Sequence, residues 1–338
     1  MHVFFGTVVR GASVASGGEL VKLDWGTKRV IRRVPIFPEN PRLDHDPNPR
    51  GNTRGCRGLV QAGDKLLAAD YHTVRVFDLD LELHRSISHA CMVGLHEIFL
   101  ENMDHLWVCA TAIDAVIKIS ISTGIVIDEY WPRTIGFFRE TLGVEPMDID
   151  RSFDNRDKYL SDEHSRHPSH LHVNAVICHG DRLIALFNKP GVVADLKNPT
   201  ILLKDNNLIG SHNLSIFDSR FLLINDTDRG YIRQYNIDNG QEVKAINLMR
   251  YNIIKRLYRR HMLRHYFEKA LKKVHIREKR HAMPIFVRGQ RVVGNSVFVG
   301  ISPACIIELD FRSGELIDFY QFSDDVNVCV HGLEVIQP

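Results

Sequence analysis

His96, His212 and His331 recur at one equivalent place in alternate copies of a repeated sequence unit. Arg57, Asn174 and Arg288 occupy the same place in the other copies. Three neutral imidazoles converging on a point suit a divalent metal with an open coordination position, Zn, Mn or Fe. The same residues suit an anionic group held by hydrogen-bonding and positive side chains. Two arginines are awkward beside a cation but natural beside a carboxylate, phosphate or sulfate. A metal together with an anionic substrate would use all six.

The units that must position these residues open at Arg57 (RGLVQAGDKLLAA), His96 (HEIFLENMDHLWVCA), Asn174 (NAVICHGDRLIALF), His212 (HNLSIFDSRFLLIN), Arg288 (RGQRVVGNSVFVGI) and His331 (HGLEVI). A period of about 35–40 residues marks solenoids, propellers or arrays. In each unit a polar residue opens an apolar strand, and a turn and further strands follow. Alternation at Val74–Phe77, Val116–Ile119, Tyr231–Tyr235 and Ile306–Leu309, with turns at 122–124, 238–240 and 312–314, supports strands throughout. Six such units predict an all-β fold, a six-bladed β-propeller, which would set the three histidines about 120° apart around the axis.

The last unit stops after one strand, His331–Ile336. HVFFGTVV, ELVKLDW and KRVIRRVPI at the N-terminus read as strands two, three and four of the same blade. An N/C-terminal clasp would remove the sheet edges that an open ring exposes. The reading is therefore a single domain over 1–338, interrupted by inserts at 132–170 and 247–284.

The chain has 338 residues, 44% hydrophobic and 25% charged, in the ordinary globular range. Its six cysteines are scattered without a CxxC and read as reduced core thiols. The N-terminus lacks the basic n-region of a signal peptide, and no stretch approaches the ~18 apolar residues that span a bilayer. A cytoplasmic protein is expected. Residues 247–284 carry +10 of charge, which leaves −8 on the rest against a total of +2. In that insert Ile253, Ile254, Leu257, Met262, Tyr266, Phe267, Ala270, Leu271 and Val274 follow a helical period, so one or two basic amphipathic helices ending at Pro284 are predicted. The 132–170 insert is polar and rich in Asp, Arg and His, and is expected as an ordered loop at one mouth of the channel.

His172 lies two residues before Asn174, which places both side chains on one side of a strand. A His-x-Asn pair opening a blade of a six-bladed ring, with further channel histidines and a following basic residue, resembles the bacterial aryl-sulfate-dependent arylsulfotransferases. The resemblance implies channel histidines that bind sulfate, one of them transiently sulfated, and no nucleotide cofactor. His172 and Asn174 match the pair. Lys189, in Phe187-Asn188-Lys189-Pro190, takes the basic place as Lys rather than Arg. His212 would be the nucleophile and His96 a sulfate ligand.

Two chemistries thus stay open for a small anionic substrate: histidine-mediated sulfuryl-type transfer, and metal-assisted lyase or hydrolase chemistry. The catalytic candidates are His212, His172, His96 and His331, with Arg57, Asn174, Arg288 and Lys189 binding substrate. Nucleophilic histidine needs a neutral ring with its tautomer fixed by a neighbour. The rival is a non-enzymatic scaffold whose insert, residues 250–281, binds a protein or an anionic membrane surface; no nucleic-acid motif accompanies that insert. Among secondary candidates, His164, His167, His170 and His172 could form a metal tract, but Pro168 and the irregular spacing point to a solvated loop, His172 excepted. Asp226 and Asp228 read as a calcium pair or a tight turn. Glu97 reads as an orienter that strand alternation would turn away from His96.

Overall fold

The computed structural model describes residues 1–13, 17–38, 55–159, 166–272 and 285–337, without the side chains of 265 and 268–272. Three N-terminal strands, β1 (His2–Val9), β2 (Glu19–Asp24) and β3 (Arg29–Pro35), form the outer part of the first blade. The second blade holds β4 (Gly58–Ala62), β5 (Lys65–Ala69), β6 (Val74–Asp78) and β7 (Leu83–Ile87). The third holds β8 (Leu95–Leu100), β9 (His105–Ala110), β10 (Ala115–Ser120) and β11 (Val126–Tyr130). The fourth holds β12 (Val173–His179), β13 (Arg182–Phe187), β14 (Val192–Asp195) and β15 (Thr200–Lys204). The fifth holds β16 (His212–Phe217), β17 (Phe221–Asp226), β18 (Tyr231–Asn236) and β19 (Glu242–Asn247). The sixth holds β20 (Val287–Val293), β21 (Ser296–Ile301), β22 (Cys305–Asp310) and β23 (Glu315–Gln321), and β24 (Val328–Ile336) returns as the inner strand of the first blade.

Each sheet is four-stranded and antiparallel, in chain order apart from the clasp β24-β1-β2-β3. The clasp pairs Val3 with Val335 and Phe5 with Leu333, so the last strand closes the ring as expected. The innermost strands β24, β4, β8, β12, β16 and β20 contact one another in that circular order. Middle strands are sandwiched between neighbouring sheets, so they are apolar almost without a break, as in Leu106–Ala110 and Leu183–Phe187. Outermost strands face solvent and lose that pattern; β7 buries only Ile87.

Because four antiparallel strands alternate in direction, the fourth ends on the side where the first began. Every long connection between blades therefore lies at the mouth where the inner strands start. The 132–170 insert departs from the expected loop: it contains a helix, α1 (Gly136–Leu142), which buries Phe138 against Phe187. The basic insert is one helix, α2 (Asn252–Lys272), as far as the described residues run; its expected end at Pro284 lies outside them. Ile254 and Leu257 on α2 pack with Val297 and Ile307 of the sixth blade. All six cysteines are free, and all but Cys178 are buried. Among the described residues no helix is long and apolar enough to cross a membrane.

Candidate functional site: a histidine ring in the channel mouth

Five of the six inner strands carry a bulge at the ring. The β8–β9 register passes from Leu95↔Ala110 to Ile98↔Val108, leaving His96 and Glu97 unpaired. Asn174 is skipped in β12, Asn213 in β16, Gly289 in β20 and His331 in β24. In the second blade Arg57 stands just before β4. A bulge breaks strict alternation and re-aims side chains, and bulges gather at barrel rims and active sites for that reason. The polar openings of the repeat thereby turn into the channel together.

His96, His212 and His331 offer ligand atoms that all lie within 4.8 Å of one another. Their rings are 6.0 Å (His96–His212), 5.4 Å (His96–His331) and 5.8 Å (His212–His331) apart, centroid to centroid. A metal ~2.1 Å from three nitrogens needs them about 3.4 Å apart, an inward closure of little over 1 Å.

Each ring turns Nδ1 to the wall. His96 Nδ1 lies 3.2 Å from Gly94 O, and His331 Nδ1 donates to Arg57 O at 3.2 Å. His212 Nδ1 reaches Gly210 O at 3.1 Å and Thr227 Oγ1 at 2.9 Å. Thr227 gives its only hydroxyl proton to Val287 O at 2.9 Å, so it accepts from His212. His212 and His331 are therefore Nδ1–H tautomers with the Nε2 lone pair left over, whereas His96 Nδ1 faces both an acceptor, Gly94 O, and a group that only donates, Arg57 at 3.5 Å. Metal-ligating histidines are oriented in this way. Gly94 and Gly210 supply these carbonyls with φ of 61° and 86°, a region glycine reaches without strain. Burial, reinforced by Arg57 for His96 and by Arg288 for the other two, holds all three imidazoles well below the usual histidine range. They are neutral, as ligation and nucleophilic attack both require.

His172 joins them, 5.4 Å from His96 and 5.4 Å from His170 between ring centroids. Its backbone has φ of 56°, held by Asp114, a fully buried carboxylate that accepts from Leu171 N at 2.9 Å and His172 N at 2.7 Å. The expected solvated loop is corrected here: His170 is buried, its Nε2 3.7 Å from Asp114, while His167 is half exposed and His164 lies outside the described residues. Asn174 donates its amide to Ser211 O at 3.0 Å and keeps Oδ1 buried without a partner. Its amide donor is thus spent on the wall and not left for an anion. Lys189 is held off the ring, its Nζ donating to the His167 carbonyl at 3.1 Å.

Arg288 is half-buried, its Nε buried and without a partner among the described residues. Burial and the nearby charges of Arg10 and Arg57 pull its guanidinium down to about 9. Arg57 lies 3.5 Å from His96 Nδ1. Arg10, at the end of β1, brings a third guanidinium, and its charge bears on His212 and His331. Glu97, which alternation would have turned away, sits 4.0 Å from His331 Nδ1 because of the β8 bulge, and desolvation raises its carboxyl to about 8. Asn213 hydrogen-bonds Glu97 and also takes the amide of Asn225 at 3.0 Å. Asp226, the last residue of β17, pairs with Arg233 of β18 at 2.9 Å, and Asp228 lies in the turn between these strands.

Sequence reasoning missed Arg10, Asp114, Thr227 and Asn213. A repeated Gly-x-His at Gly94–His96 and Gly210–His212 was the available signal for the carbonyl anchors.

No known family matches the sequence, and no curated protein matches it. Among solved structures, a protein of unknown function from Bacteroides caccae aligns with a TM-score of 0.56 at 10% identity, covering 98% of this chain and 97% of that one. A nidogen/laminin complex aligns with a TM-score of 0.55 at 10% identity, again covering 98% and 97%. At this identity the likeness shows the fold alone. The resemblance to arylsulfotransferases therefore rests on His172, Asn174 and Lys189 as sequence.

Proposed function

We propose that the protein is an enzyme acting on a small anionic substrate in the channel mouth, with a divalent metal held by His96, His212 and His331. The observation that carries this reading is the convergence of three buried rings whose ligand atoms all lie within 4.8 Å of one another, each with Nδ1 beside a backbone carbonyl. A nucleophile needs one such ring; a metal needs three. A metal bound there would polarise an oxygen of the substrate or lower the pKa of bound water. Arg288, Arg57 and Arg10 would meet the substrate's negative charge, which the unpartnered Arg288 Nε invites. Asn174 Oδ1 would accept from a hydroxyl or a water.

Histidine-mediated sulfuryl-type transfer is the second reading. It is favoured by Thr227, which fixes His212 in the tautomer a nucleophile requires. The test is turnover of a panel of small carboxylate, phosphate and sulfate esters before and after chelation, in wild type and His212→Ala. Activity lost on chelation and restored by metal supports the first reading. Activity indifferent to chelation but lost in His212→Ala moves the chemistry to the second. No turnover under any condition, with the fold intact, leaves a non-enzymatic scaffold.

A further inference from the structure

The helix α2 continues beyond the body of the protein. Its first half lies along the outer strand of the sixth blade. Tyr251, just before it, donates to Gly314 O at 2.7 Å, and Ile254 and Leu257 are buried. At the other end of that blade His261 Nε2 is 3.2 Å from Asp324, and Arg260 pairs with the same carboxylate. Asp324 belongs to the connection between β23 and β24, which lies at the mouth carrying the histidine ring. Past this clamp Leu263, Tyr266 and Phe267 are 71%, 62% and 66% exposed.

At about 100° per residue these three side chains fall on the side of the helix opposite His261. Lys255, Arg256 and Arg259 fall on the same side, and no Asp or Glu occurs from Asn252 to Phe267. The outward face of α2 is thus a mixture of cations with aromatic and aliphatic side chains. The other long connections at this mouth repeat the pattern: Phe37, Phe137 and Phe153 are all exposed, and Lys158 Nζ lies 5.8 Å from the Phe153 ring. From Asn252 to Phe267 the helix thus carries five cations, Lys255, Arg256, Arg259, Arg260 and Arg264, against no acid.

We propose that this rim docks the protein, channel mouth first, on an anionic lipid bilayer, with the second half of α2 entering the interface. Cations would meet the lipid phosphates while Leu263, Tyr266 and Phe267 insert among the acyl chains, as interfacial helices do. An anionic bilayer takes both halves of this face at once, phosphates for the cations and acyl chains for Leu263, Tyr266 and Phe267, whereas an acidic protein partner would leave vesicles unbound in the test below. The proposal is independent of any chemistry in the channel.

The test is co-sedimentation of the full chain with vesicles of phosphatidylcholine, with and without phosphatidylserine, at low and high salt. Binding is expected to require phosphatidylserine and to fall with salt. Arg256→Gln with Arg259→Gln should weaken it about 25-fold, roughly fivefold per charge. Leu263→Ser with Phe267→Ser should abolish most of it with no change in thermal midpoint, since both side chains are exposed. Retained binding in the serine variant would overturn insertion. Absence of vesicle binding, or binding equal on neutral vesicles, would overturn the proposal outright, as would association of the helix with a second copy seen by light scattering.

Discussion

Replacing Glu97 by Gln should make the metal-free protein more stable, and increasingly so as pH rises. The carboxyl is pushed from 4.5 to about 8 by burial in the channel wall. Below pH 4.5 it is protonated in folded and unfolded chains alike, and wild type and variant should be equivalent. Between 4.5 and about 8 the unfolded chain gives up the proton and the folded one keeps it, so each pH unit favours unfolding by about 1.4 kcal/mol. The deficit reaches about 3 kcal/mol at pH 7 and about 5 kcal/mol above pH 8. The 18% exposure of the side chain makes these figures ceilings. The carboxamide introduced by Glu97→Gln can still accept from Asn213, so the substitution removes the ionisation and little else. Denaturant unfolding of chelator-treated wild type and Glu97→Gln at a series of pH values gives a difference curve in which other titrating groups cancel. A difference rising from near zero at pH 4.5 to a plateau above pH 8 is expected. Parallel curves would refute the burial argument and, with it, the claim that the β8 bulge turns Glu97 inward.

Thr227→Val removes the acceptor that fixes His212 while keeping its shape. Metal affinity, read by competition with a chromophoric chelator, should fall about 10–100-fold with the fold retained. Asp114→Ala deprives Leu171 N and His172 N of a buried acceptor and should cost about 2–4 kcal/mol in denaturant unfolding, whereas Asp114→Asn should recover part of it. Truncation after Asn327 deletes β24 and exposes the edge of β1; the product should be insoluble or lack a cooperative thermal transition, and a normal transition would argue against the clasp.

The ring was legible because its members open strands at a fixed place in a repeat, and such a pattern survives any detail of pairing. The clasp was legible because an orphan strand at one end met three at the other. Glu97 was misplaced for a physical reason: alternation assumes an unbroken ladder, and a bulge at His96-Glu97 resets it. Arg10 was missed because it follows β1, the second strand of the clasp blade, and reaches the channel only through the ring closure. Asp114 was missed because it acts through backbone N–H groups of Leu171 and His172, which leave no side-chain pattern. The burial of His170 followed from that same carboxylate.

The central claim is a metal held by three fixed imidazoles, and metal content measures it directly. Untagged wild type, His96→Ala, His212→Ala and His331→Ala would be analysed by inductively coupled plasma mass spectrometry after equal exposure to Zn, Mn and Fe. Near-stoichiometric retention of one metal by wild type, lost in all three variants, is the predicted result. No retained metal in wild type, or retention unchanged in the variants, would contradict the account.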